Sequence, residues 1–155
     1  MTYHITGLDP AQFAPLFGLS DAELAERHIQ RHHVSAPNAC PDRITMVDLE
    51  PGETALLLNY EHLPVDSPYR SRHAIYVKEG ATTPYSQTDE VPAVMKRRTL
   101  ALRGINDAGN IVDADLATGD AIEPLILRLF ENPDIAYIHA HFAQRGCFAA
   151  RIDRV

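Results

Sequence analysis

The sequence predicts an α+β chain: a mostly antiparallel sheet packed against one main C-terminal helix, with short helices near the amino end. Three observations predict it. Strand-like runs outnumber helical ones, most connections are hairpin-short, and one strongly amphipathic stripe falls at residues 122–130. The 155 residues suffice for one sizeable core. Pro and Gly are spread along the chain rather than gathered in a linker, and no segment repeats, so residues 1–155 read as a single domain.

Residues 3–6 alternate and read as the first strand. Pro10-Ala11-Gln12-Phe13 reads as a helical turn, because proline suits a first helical position. Ser20-Asp21-Ala22-Glu23 is a capping box: the serine oxygen can accept from the amide three residues on while Glu23 reaches back. A short helix over residues 21–27 follows. Residues 28–34 fit either an extension of that helix or a strand. Residues 55–62 and 74–78 then read as strands.

Residues 98–105 and 111–116 flank Asp107-Ala108-Gly109-Asn110, a hairpin signal because glycine tolerates positive φ. Val112, Ala114 and Leu116 alternate with Asp113 and Asp115, which predicts an apolar face inward and an acidic face in water. With a three-residue loop, Arg103 would oppose Asp115 as a cross-strand ion pair. Asp120 and Glu123 open the main helix. Ile122, Leu125, Ile126, Leu129 and Phe130 form one of its faces. Pro124 lies in the first turn, where a missing N–H costs little, and Asn132-Pro133 ends the helix. Residues 135–143 and 147–154 are the final two strands.

Composition narrows the function. Lys and Arg total 14 against 21 Asp and Glu, a formal charge of −7, which argues against nucleic acid and acidic membranes as partners. Two cysteines suggest neither a disulfide scaffold nor a cysteine-rich zinc module. Met1-Thr2-Tyr3-His4 shows no secretory pattern and no apolar run reaches the ~20 residues of a bilayer span, so a soluble cytoplasmic protein is expected. There is no Gly-x-Gly-x-x-Gly, Walker loop, Gly-x-Ser-x-Gly or Cys-x-x-Cys. The common nucleotide enzymes, elbow-type serine hydrolases and thioredoxin-like proteins are thereby disfavoured.

The last hairpin carries the candidate site. Ile138, Ala140 and Phe142 alternate with Tyr137, His139, His141 and Ala143; Phe148, Ala150 and Ile152 alternate with Cys147, Ala149, Arg151 and Asp153. Matching the apolar faces requires an odd loop, most simply Gln144-Arg145-Gly146, with Gly146 left-handed. That register opposes His139 to Arg151 and His141 to Ala149, with Cys147 diagonal to His141. Three readings compete there. Cys147, His141 and His139 could be catalytic, the imidazole deprotonating the thiol, with Arg145 binding an anionic ligand. The His-x-His pair could instead hold a metal, zinc being a lesser alternative to the expectation of no cofactor. The bland reading is a buried thiol beside half-exposed histidines.

Other candidates are weaker. His62 ends a buried strand and could line a pocket or cap the core; Tyr69 and Arg70 lie in a loop where binding residues commonly sit. His28 and His32 have the spacing of a helical metal pair, but Ile29 stands where that motif needs a general-base glutamate. Lys96-Arg97-Arg98 reads as a solvated helix end. The function supported is a small-molecule-binding or enzymatic domain using the hairpin's polar face. The alternative is a non-catalytic regulatory module or homodimer.

Gly7-Leu8, Leu19-Ser20, Pro51-Gly52-Glu53 before Leu56-Leu57-Leu58-Asn59-Tyr60, Pro68-Tyr69, and His139 through Gly146-Cys147 together have a specific spacing. The chain thereby resembles, almost end to end, domain-of-unknown-function family 1203. The resemblance implies a bacterial single-domain protein and supplies no mechanism. The family's pattern has Pro-Cys-Arg ahead of the Pro-Gly-Glu turn, where this chain has Pro41-Asp42-Arg43 with Cys40 displaced. That departure counts against any chemistry shared by two cysteines.

Overall fold

The computed structural model describes residues 1–155. The chain is α+β. Strands β1 (Tyr3–Thr6), β5 (Ser86–Thr88), β6 (Thr99–Ile105), β7 (Ile111–Thr118), β8 (Tyr137–Phe142) and β9 (Phe148–Arg154) form one antiparallel sheet, ordered β5-β1-β9-β8-β6-β7. Strands β2 (Gln30–His33), β3 (Thr54–Leu63) and β4 (Ser71–Lys78) form a second, ordered β2-β3-β4. The helices are α1 (Asp21–Glu26), α2 (Ala93–Lys96) and α3 (Ile122–Phe130). None is long and apolar enough to cross a membrane.

The residues gather into two compact units. The first comprises Met1–Thr6, Glu61–His73 and Ser86–Val155: the six-stranded sheet, α2, α3 and the ends of β3 and β4. On one face of this sheet Ile5, Leu100, Leu102, Ile138, Ala140 and Ile152 are fully buried. The register shows that these residues share a side. Helix α3 lies on that side, burying Ile122, Leu125, Ile126, Leu129 and Phe130 as its stripe predicted. Its start differs from expectation. A 3-10 turn at Gly119–Ala121 leads into it, and no side chain caps it; Asp120 instead meets Lys96 at 3.8 Å.

Strand β7 turns the opposite way from its pattern. Asp113 and Asp115 face α3, where Arg128 pairs with them at 3.4 and 3.1 Å. Val112 and Leu116 are 42% and 62% exposed. The cause is the turn: it spans residues 106–110, and a bulge beside Ile105 brings Leu102, not Arg103, opposite Asp115. The expected Arg103–Asp115 pair therefore does not form. An edge strand tolerates this inversion because its outward apolar side chains displace little from the core.

The second unit comprises Gly7–Tyr60 and Ala74–Tyr85. The capping box at Ser20 and Glu23 forms as read. The ambiguity at residues 28–34 resolves as strand, because His28 takes a left-handed φ of 57° and ends the helical path. His28 and His32 are thus not a helical pair; His32 instead bonds Gln30 at 3.1 Å. In the departure segment, Asp42 is a buried organiser. Its carboxylate accepts from the Ile44, Thr45 and Lys78 amides at 3.1, 2.8 and 2.7 Å and from the Thr45 hydroxyl at 2.5 Å. Asp42→Asn replaces an acceptor-only group by one that is half donor, so it should cost about 1–3 kcal/mol in urea unfolding. An unchanged midpoint would contradict that role.

Candidate functional site

Successive residues of β8 point to opposite faces, so Tyr137, His139 and His141 lie on the side away from α3. The register sets them in transverse rows with their neighbours on β6 and β9. Arg103, His139 and Arg151 form one row. Ala101, His141 and Phe148 form the next, and Ile105, Tyr137 and Asp153 the third. The opposition of His139 to Arg151 is the one the sequence predicted.

The turn beyond it is not. Phe142 accepts from the Gly146 amide at 2.8 Å and donates to the Cys147 carbonyl at 2.9 Å, closing a four-residue loop over residues 143–146. Gly146 is left-handed, with φ 81°, as expected. A bulge next to Ala140 then absorbs one residue, so Phe148 rather than Ala149 opposes His141. Cys147 itself is buried in the turn just before β9. The expected three-residue turn and the opposition of His141 to Ala149 are therefore replaced by a longer turn and a bulge.

Beside the two histidines lie His62 from β3 and the ring of Phe148. The His62 ring stacks on Phe148, 5.6 Å between centroids and 8° from parallel. It meets His141 edge-on at 4.8 Å and His139 at 6.1 Å. Phe148 also meets His139 and His141 edge-on, at 5.0 and 5.9 Å. His139 and His141 are only 4% and 1% exposed. Three imidazoles thus surround one phenyl ring.

Hydrogen bonds assign two of the tautomers. The Ser71 hydroxyl donates its single hydrogen to the Tyr69 carbonyl at 2.8 Å. It therefore accepts from His62 Nε2–H at 3.1 Å, leaving a lone pair on Nδ1. His141 Nδ1 lies 2.9 Å from the Gly146 carbonyl, which can only accept. Its Nε2 therefore holds a lone pair, 3.4 Å from an Arg103 nitrogen. His139 Nδ1 is buried with no hydrogen-bond partner.

Electrostatics keep His139 and His141 neutral. Burial pushes His139 down to about 3, aided by repulsion from His141, His62, Arg151 and Arg103. Burial and then Arg103 push His141 to about 3, against the opposing pull of the Gly146 carbonyl. Arg103 is half-buried and no carboxylate meets it; desolvation alone lowers its pKa. Arg151 differs, lying 3.9 Å above the Tyr137 ring with its charge matched by Asp153 at 2.8 Å. Arg103 is the cation of this face without a counter-charge.

The remaining candidates lie elsewhere. Arg145 is exposed on the turn. Arg70 is paired with Glu61 at 3.1 Å and Asp66 at 3.6 Å. Tyr69 contributes its backbone carbonyl to Ser71 rather than its ring. Lys96-Arg97-Arg98 is a helix end as read: Arg98 donates to the Val94 carbonyl at 2.8 Å. No three His, Cys, Asp or Glu side chains converge as a shared metal ion requires. Neither cysteine is in a disulfide. Sequence reasoning missed Arg103, Ser71 and Phe148 as neighbours of the histidines. The missing signal was which strand pairs with residues 137–142.

Fold and side chains define an α+β protein with a buried imidazole cluster beside an unmatched guanidinium. Residues 39–154 match the family described as "Protein of unknown function (DUF1203)", and the chain belongs to that family. No curated protein matches it. No solved structure does either.

Proposed function

We propose that the chain binds a small anion on the His139–His141 face, with Arg103 as the counter-charge. One observation carries this reading: Arg103 is half-buried and meets no carboxylate, its one hydrogen-bond contact being 3.4 Å to the neutral His141. A desolvated cation costs free energy unless something matches it, and a ligand would. Binding is favoured over acid–base catalysis because an imidazole with a pKa of about 3 is a weak base at neutral pH.

The test is thermal melting at low salt with and without inorganic phosphate, sulfate, acetate or glycolate. A ligand at ten times its dissociation constant adds about 1.4 kcal/mol, or roughly 3–6 °C for a chain this long. Arg103→Met should melt above the wild type without anion, since the unmatched charge is gone, and should gain nothing when anion is added. Equal anion-induced shifts in both proteins would overturn the assignment.

A further inference from the structure

We propose that the anion bound beside Arg103 is an oxyanion that still carries an O–H group, its charged oxygens on the guanidinium and its hydroxyl donated to an imidazole lone pair. This rests on the preceding reading and narrows its ligand class. A bare anion offers only acceptors, and a guanidinium offers only donors, so Arg103 alone would suit any anion.

The imidazoles change that balance. The single lone pair of His141 Nε2 faces an Arg103 nitrogen at 3.4 Å, whereas His62 Nδ1, opposite the nitrogen that meets Ser71, is buried without a hydrogen-bond partner. Their rings are 4.8 Å apart. His139 stands directly across from Arg103 in the same row, with a buried Nδ1 that bonds to nothing in the protein. A fully deprotonated oxyanion would set oxygen lone pairs against nitrogen lone pairs. A ligand O–H converts that repulsion into a hydrogen bond.

Protonating the imidazoles instead would remove the conflict, but the surroundings oppose it. His139 is faced by Arg103 from β6, Arg151 from β9, His62 from β3 and His141 on its own strand. His141 is faced by Arg103, His62 and His73. These neighbours are cationic or basic. Supplying the hydrogen from the ligand avoids adding another positive charge among them.

The deciding comparison is inorganic phosphate against sulfate on the full-length protein at pH 8 by calorimetry at constant ionic strength. At that pH both are mainly dianions of similar size, and only phosphate has an O–H. Glycolate against acetate repeats the comparison for monoanionic carboxylates and shows which oxyanion type the site prefers. The inference predicts at least about tenfold tighter binding of the hydroxyl-bearing member of a pair. It also predicts that His139→Leu narrows that ratio while sulfate binding through Arg103 persists. Phosphate binding no tighter than sulfate, and glycolate no tighter than acetate, with Arg103→Met abolishing all four, would overturn this inference and leave the anion site intact. Binding of none of the four would overturn both. Should His139→Leu fail to fold, the wild-type ratios alone decide.

Discussion

Acidification from pH 6.5 to 4.5 is expected to remove about 5 kcal/mol of folding stability, before most carboxylates titrate. The sign follows from His139 and His141. Each sits at about 3 in the folded chain against an ordinary 6.5. Between those limits the unfolded chain holds protons that the folded chain refuses, so stability falls as pH falls. Each group contributes up to about 1.4 kcal/mol per pH unit, so the pair contributes nearly 3 per unit. A typical domain has only about 5–15 kcal/mol in total. Urea unfolding at half-unit steps measures the slope directly. His139→Leu should roughly halve it, since one of the two suppressed titrations is gone. A flat profile across this range would show that both rings reach water in the folded chain.

Phe148→Ala is the second large effect, with an expected loss of about 3–5 kcal/mol. Its ring is the common partner of His62, His139 and His141, so truncation leaves a void bordered by three polar rings. At roughly 2–4 °C per kcal/mol, the melting temperature should fall by on the order of 10 °C. Phe148→Leu keeps most of the volume and should cost less than about 2 kcal/mol. The pair of variants separates packing from register. Were the bulge absent, Phe148 would sit under α3, and both variants would leave the histidines undisturbed. Histidine proton resonances that move in Phe148→Ala therefore support the bulge independently of the melting data.

The parts of this fold legible in the sequence are those set by local chemistry. The capping box at Ser20 and Glu23 forms because both partners lie within one helical turn. The apolar stripe from Ile122 to Phe130 finds the sheet because its spacing leaves it no other way to be buried. The opposition of His139 to Arg151 was also accessible, since Ile138 and Ile152 must share the buried face.

What escaped was set by single residues added to a ladder. A bulge changes which side chains oppose one another without changing the hydrophobic pattern. Phe148, Ala149 and Ala150 are all buried, so their apolarity could not say which was the extra one. That one residue put Phe148 in place of Ala149 opposite His141. In β7 the misleading cue was amphipathicity itself. Asp113 and Asp115 looked solvent-bound, yet Arg128 gives them a partner on the helix side. Arg103 followed the same logic: the acid expected to neutralise it went to another cation, leaving its charge for the histidine face.

The anion site is tested most directly by the imidazole nitrogens themselves, in long-range proton–nitrogen spectra recorded at pH 7 while phosphate is added. His139 and His141 are expected as neutral rings, with the His141 hydrogen on Nδ1. Phosphate should shift the resonances of both residues along one saturable curve, and the exposed His28 and His33 should stay still. Charged imidazoles before phosphate is added, or shifts confined to the exposed rings, would contradict it.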